Sequence, residues 1–228
     1  MSHFYTKSGE LITDITIREA RQQGLLPSVT TVTKASWDNP QLTKWKITQL
    51  LKLLKEKPQN LNLTENQIMD WYYDETGKAM KKGSDIHDEI EKYLTGKKSK
   101  IDKELKSWID ENIFEVYEIE KRLVNNKFAG TIDLICDLKD YGLSILDWKT
   151  QGFDKYPVVY DDYKFQLVAY KQLVDFNSTE FKKHNLVDVF ISTNNELIVP
   201  KVMKQDVRDW ATSTWNKMIE YYYTRRKL

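Results

Sequence analysis

Apolar side chains recur along this chain at two periods, near 3.6 and near 2, and the changes between them mark out its elements. Ile47, Leu50, Leu51 and Leu54 fall at i, i+3, i+4 and i+7, with Lys44, Lys46, Lys52, Lys55 and Lys57 around them, so a helix is predicted over 41–57. Pro58, Asn60 and Asn62 then form a loop. Helical spacing resumes over 65–94 as one or two helices, interrupted near Gly77 or Gly83, with an apolar stripe of Ile86, Ile90, Tyr93 and Leu94. Gly96 closes that tract as a C-cap. Residues 102–120 read as a further helix whose apolar face is Leu105, Trp108, Ile109, Ile113 and Val116. In the centre the pattern turns to strands over 128–137 and 143–150, joined by a turn containing Asp140 and Gly142. A helix over 161–176, a strand pair over 186–192 and 196–203, and a helix over 204–224 complete the chain. Near the start, Pro27-Ser28-Val29-Thr30-Thr31-Val32-Thr33 is β-branched and Pro-led, and a short strand or extended stretch is expected there.

This order describes an irregular α/β (α+β) chain with no repeat of 20–50 residues. At 228 residues it is expected to be a single domain, 1–228. With 40% hydrophobic and 30% charged residues it can build a real core, which excludes a disordered chain. Charge changes the picture less than its distribution does. The 35 Lys and Arg nearly cancel the 34 Asp and Glu, for a net +1, so a polyanion would have to bind through a local patch. Two stretches supply basic groups: the lysines of 41–57, and Arg225, Arg226 and Lys227. Both are ordinarily solubilising, and on a nucleic-acid-binding protein both become phosphate contacts. The single cysteine, Cys136, excludes an internal disulfide and points to a reducing compartment. The longest apolar run is four residues, Leu167 to Tyr170, and no targeting segment is seen, so no membrane association and a cytoplasmic location are expected.

Candidate chemistry lies in the central strands. Side chains alternate along a strand, so Leu143, Ile145, Asp147 and Lys149 share one face and Leu146 and Trp148 the other. Asp133 interrupts Ile132, Leu134 and Ile135 in the preceding strand. Two acids from neighbouring strands can hold one Mg²⁺ ion, which takes oxygen ligands and keeps several waters. Lys149 beside them could orient an attacking water or stabilise negative charge on a phosphoryl group. The competing account is a surface ion pair on an edge strand.

Further segments carry a family likeness. Gly130-Thr131-Ile132-Asp133, then Asp147-Trp148-Lys149-Thr150, then Gln166 to Tyr170, resemble in order the G-x-x-D, D-x-K-T and Q-x-x-x-Y motifs of the PD-(D/E)xK nuclease superfamily, in its RecB-like branch. Gly83-Ser84-Asp85-Ile86-His87 with Glu91 resembles that branch's G-t-x-x-H-x-x-x-E helix. Pro27 to Val32, with Leu42 and Trp45, resembles the N-terminal segment of phage exonucleases and of the mitochondrial genome maintenance exonuclease. The likeness spans 27–175, leaving 176–228 as C-terminal strands and helix. It implies a restriction-endonuclease-like fold, a central mixed sheet flanked by helices with an N-terminal helical embellishment.

The resemblance also implies roles. Asp133, Asp147 and Lys149 would be catalytic. His87, Asp133 and Asp147 would hold Mg²⁺ or Mn²⁺, and Glu91, Gln166 and Tyr170 would support the metal or contact DNA. An iron-sulfur cluster is not implied, because its cysteines are absent. Glu120 is either a further carboxylate of the site or part of a solvated acidic face, and Trp148 is expected to pack behind it. The activity implied is a metal-dependent DNA exonuclease preferring single-stranded or free ends, in recombination, replication or repair, with a protein of those processes as partner. The alternatives are a structure-specific or flap endonuclease with the same site, or a DNA-binding accessory protein whose site is vestigial.

Overall fold

The two central apolar strands pair as a hairpin and become the middle of a larger sheet. In the computed structural model, residues 3–178 and 183–224 are described, apart from the side chains of residues 41, 42 and 78–80. Strand β4 (Ile113–Val124) is followed by β5 (Ala129–Leu138), β6 (Gly142–Gln151), β7 (Asn185–Ser192) and β8 (Ile198–Val202). Their spatial order is β4-β5-β6-β7-β8, with β6 and β7 parallel and the other neighbours antiparallel. The β5–β6 turn has Asp140 at φ 64° and Gly142 at φ 70°, the left-handed backbone that Asp and Gly tolerate best. A parallel step needs a crossover, and helix α6 (Asp161–Asn177) supplies it between β6 and β7.

The chain divides into two compact units, one made of residues 1–37 and 101–228 and the other of residues 38–100. In the first, β1 (Phe4–Tyr5), β2 (Leu11–Ile12) and β3 (Leu26–Pro27) form a small sheet, with α1 (Ile17–Gln22) between its second and third strands. Helices α2 (Val29–Ser36), α6 and α7 (Gln205–Thr224) pack on one another, and their apolar side chains join Ile132, Ile135 and Ile145 of the large sheet in one core. Phe128 meets Trp215 edge-on at 5.1 Å in that core. Trp148, on the opposite face of β6 from Asp147, meets Trp108 of α5 (Lys103–Asn112) at 5.9 Å. The second unit consists of α3 (Pro40–Glu56), a 3₁₀ turn (Pro58–Asn62) and α4 (Glu65–Leu94).

The mixed sheet flanked by helices is the architecture that the sequence pattern and the family likeness implied. Three local expectations are corrected. The β-branched run after Pro27 is not a strand but helix α2, because the Ser28 side chain accepts from the Thr31 N–H at 3.0 Å and caps it. Thr33 Oγ1 then donates to the Val29 carbonyl at 3.0 Å, so a β-branched residue serves the helix it would otherwise disfavour. The 102–120 helix stops at Asn112, whose side-chain amide donates to the Trp108 carbonyl at 2.8 Å, and Ile113 onward pairs with β5 instead. The 65–94 tract is one unbroken helix. Its two interior glycines, Gly77 and Gly83, cost about 1 kcal/mol each against alanine, less than re-nucleating a second helix would demand. Gly96 follows it at φ 71°. Among the described residues no helix is long and apolar enough to cross a membrane.

Candidate active site

Strand register sets four carboxylates side by side. Asp147 pairs with Asp188 in the parallel β6–β7 ladder. The antiparallel β5–β6 ladder runs through Ile135–Ile145 and Leu134–Leu146, so the next step of the same register puts Asp133 against Asp147. At that step the Asp133 side chain stands in for the backbone: its Oδ2 accepts from the Trp148 N–H at 2.9 Å. Across the other edge of β5, Ile119 pairs with Leu134 and Lys121 with Ile132, which leaves Glu120 opposite Asp133. One carboxylate oxygen of each lies within 4.8 Å of the other. Glu120 has φ 47°, a left-handed conformation costing a non-glycine residue roughly 1–3 kcal/mol, held in place here by the ladder on both sides of it. Glu120 is half-buried at this step.

Lys149 lies two residues beyond Asp147 on β6 and pairs with its Oδ2. Its ammonium also donates to Gln166 Oε1 at 2.8 Å and sits 4.6 Å from the centre of the Tyr163 ring. Gln166, on the first half of α6, ties the group together. Its amide nitrogen donates to Asp147 Oδ1 at 2.9 Å and to the Tyr170 hydroxyl at 2.7 Å. Spacing i, i+4 puts Gln166 and Tyr170 on one helix face, and Gly130 makes room for that face. A Cβ at Gly130 would lie 2.9 Å from Tyr170 Cε1 and 3.3 Å from side-chain atoms of Leu173 and Val29. Glycine in the first motif thus serves a close approach of α6 to β5, while its backbone needs no special φ.

The electrostatics follow from burial. Asp133 is pushed well above the usual carboxylate range, first by desolvation and then by the Asp147 charge, with Glu120 adding to it. Desolvation pushes Asp188 up to about 7, with Asp147 and Asp162 acting in the same direction. Burial pulls the Lys149 ammonium down, but Asp147, Asp188 and Asp133 outweigh it and leave its pKa above the ordinary lysine value. Tyr170 is raised well above the usual phenol value, by burial and then by Asp147 and Asp133, so it stays a neutral hydroxyl. The Asp188 Oδ1 atom is buried without a hydrogen-bond partner.

A cluster of carboxylates facing one ammonium carries surplus negative charge away from water, which is costly unless a cation joins it. The donors are hard oxygens from Asp133, Asp147 and Glu120, the set that Mg²⁺ or Mn²⁺ prefers. The residues present therefore fit a divalent cation.

Of the residues singled out in the sequence, the structure brings Asp133, Asp147, Lys149, Gln166 and Tyr170 together. His87 and Glu91 are both half-buried and lie one turn apart on α4 in the 38–100 unit. The basic residues Arg225, Arg226 and Lys227 fall outside the described residues. Sequence reasoning passed over Asp188 and Tyr163. Asp188 had a legible signal, since it interrupts Leu186, Val187, Val189, Phe190 and Ile191 just as Asp133 interrupts its own strand. Tyr163 had none, because its position depends on how α6 docks.

No curated protein matches this chain. One similar solved structure, described as "Crystal structure of SSO0001", shares 14% sequence identity and covers 82% of this chain and 87% of that one, with a TM-score of 0.37. The sequence model of the PD-(D/E)XK nuclease superfamily matches residues 31–224, which runs from α2 through β5, β6 and α6 to the end of α7. With well over half its length matched, and the residues of the superfamily's motifs set on adjoining strands, the chain belongs to the PD-(D/E)XK nuclease superfamily.

Proposed function

We propose that the protein is a Mg²⁺- or Mn²⁺-dependent DNA exonuclease that degrades single-stranded or free ends. The observation that carries the reading is the clamp by Gln166, which holds Asp147 and Lys149 at 2.9 and 2.8 Å on the strand that faces Asp133. Asp133 and Asp147 would hold the cation, with His87 as a third ligand on the strength of its motif. A bound divalent cation would polarise the phosphoryl oxygen and acidify a water. The chain's own residues do the positioning. The Trp148 N–H fixes the Asp133 carboxylate. Gln166 fixes the orientation of Asp147, and Lys149 presents a permanent positive charge to the phosphate under attack. Tyr170, neutral and bonded to Gln166, keeps that amide from rotating.

The exonuclease mode and the preference for single strands rest on the likeness of the N-terminal segment to phage exonucleases. Recombination, replication or repair in the cytoplasm, alongside another protein of those processes, is the setting that fits it. The nuclease is read as one domain, with the 38–100 unit as its helical embellishment.

One gel tests the reading. End-labelled linear single-stranded, linear double-stranded and covalently closed circular DNA are incubated with Mg²⁺, Mn²⁺ or EDTA. Shortening of the linear strands in metal, with the circle intact, is expected. Cutting of the circle would replace the exonuclease with an endonuclease, and DNA binding without cleavage in either metal would leave a vestigial site.

A further inference from the structure

Asp188 is a member of the carboxylate row that the mechanism above does not use. It lies at 2% exposure in the centre of β7, directly beside Asp147, and its Oδ1 has no hydrogen-bond partner. A buried carboxylate oxygen without a partner is destabilising unless another state of the molecule supplies one. The groups around it are Lys149, Asp147, Asp162 and Lys164. Lys164 is ion-paired with Asp161 at 2.8 Å, and Lys201, opposite Asp188 on β8, is exposed. Lys149 is the buried cation of this group, and here it is committed to Asp147 Oδ2 and Gln166.

That commitment conflicts with cation binding. A divalent ion and the Lys149 ammonium both need the negative charge of Asp147, and they repel each other. An ammonium has three donors on a flexible stem, so Lys149 can keep its bond to Gln166 and its place at the Tyr163 ring while turning one donor to a neighbouring acceptor. In the parallel register that acceptor is on the adjacent strand.

We propose that Asp188 is a positioning residue for Lys149: it takes up the ammonium released from Asp147 when a divalent cation occupies the site, so that cation and lysine are held together. This rests on the metal-dependent reading above. The row then divides its labour by strand. Glu120 and Asp133 stand on the cation's side, Asp147 is shared, and Asp188 serves the lysine.

The test is a cycle of Mn²⁺ affinities, measured by calorimetry without DNA, for the full chain, Asp188→Asn, Lys149→Met and the double variant. Asp188→Asn should weaken Mn²⁺ binding about tenfold, because Lys149 then loses the charged acceptor on the adjacent strand and meets only a neutral amide oxygen. With Lys149→Met in place the same change should cost threefold or less. In cleavage, Asp188→Asn should lower kcat and leave the KM for DNA unchanged. Equal losses of Mn²⁺ affinity with and without Lys149 would overturn the proposal, since Asp188 would then act on the ion directly or only through its charge. A full chain that binds no Mn²⁺ would instead overturn the metal-dependent reading on which it rests. Should Asp188→Asn fail to fold, Asp188→Ser enters the same cycle with the same expectation.

Discussion

The two units of this chain are held by different means. In the sheet unit, buried side chains from α2, α6, α7 and the large sheet converge on one core that includes Trp215, Phe128, Phe165 and Ile145. In the 38–100 unit the buried hydrophobic residues, among those described, are Tyr72 and Ile90, while Trp45, Ile47, Leu51, Leu61, Met69 and Tyr73 are exposed. Its order is local. Thr64 and Gln67 form a reciprocal cap on α4, Lys57 pairs with Glu75 at 3.6 Å, and Lys57 also lies 5.6 Å from the Trp71 ring. The chemistry that needs fixed distances sits where long-range register enforces them, and the helical unit carries a motif on a long, self-capped helix. The contrast is broken most directly by truncating one apolar residue in each. Trp215→Ala removes a fully buried ring that packs on Phe128, and should cost about 3–5 kcal/mol of stability in urea unfolding. Leu51→Ala, on a side chain more than half exposed, should change stability by less than about 0.5 kcal/mol. Equal costs would mean that the helical unit has a core of the same kind.

Next in size is a loss of catalysis with the fold kept. Lys149→Ala and Asp147→Asn should each lower metal-dependent cleavage of labelled oligonucleotides by roughly 10²–10³-fold, the scale for losing one preorganised charged group at a developing anion. Neither removes apolar contact from the core, and Asp147→Asn relieves repulsion between buried carboxylates. For Asp147→Asn the midpoint of thermal unfolding should therefore be unchanged or raised, whereas Lys149→Ala, which leaves Asp147 a buried charge without its ammonium, should lower it while the chain still folds. Retained activity in either purified variant would remove that residue from the mechanism.

Most of the sheet was legible because its strands alternate and its turns carry Asp140 and Gly142, both strictly local signals. The same locality explains the errors. Ile113 and Val116 continue the helical spacing of Leu105 and Ile109, and only pairing with β5 decides that they belong to a strand. Val29 to Thr33 has strand propensity, and a single hydroxyl on Ser28 turns it into a helix. In the site, Asp133, Asp147 and Lys149 could be chosen from two strands in one hairpin. Asp188 lies some forty residues further on, and its place beside Asp147 depends on β7 docking parallel to β6 across α6. A crossover register is a tertiary fact, so no window of sequence contains it.

A smaller effect tests whether the helical unit serves the sheet's chemistry. The variant is His87→Ala, because His87 carries the motif of the helical unit. It should raise the Mn²⁺ concentration needed for half-maximal cleavage by about tenfold or more, the scale reported for disturbing a metal's ligand surroundings. An unchanged metal titration would take His87 out of the ligand set and leave the two units functionally separate.

The smallest expected effect, a few degrees in melting temperature, is one of pH, and it runs in opposite directions in the two units. Asp133 and Asp188 are raised by burial, so between the unfolded carboxylate value near 4 and about 7 the native protein holds protons that the unfolded chain has lost. Stability then falls as pH rises through that window. In the 38–100 unit the shifted acid is Glu89, lowered by hydrogen bonds from Lys92 and the Lys100 N–H. Its contribution is present above the unfolded value and is lost as pH falls through the native one. Lys149 is raised, but its window lies above the ordinary lysine value, so it does not alter the comparison. Metal-free protein should therefore melt lower at pH 8 than at pH 6. Mn²⁺, which binds the ionised carboxylates, should raise the melting temperature more at pH 8 than at pH 6. A metal-induced shift equal at the two values would mean that Mn²⁺ displaces no protons from Asp133 and Asp188, so that neither holds one in the metal-free protein at pH 6.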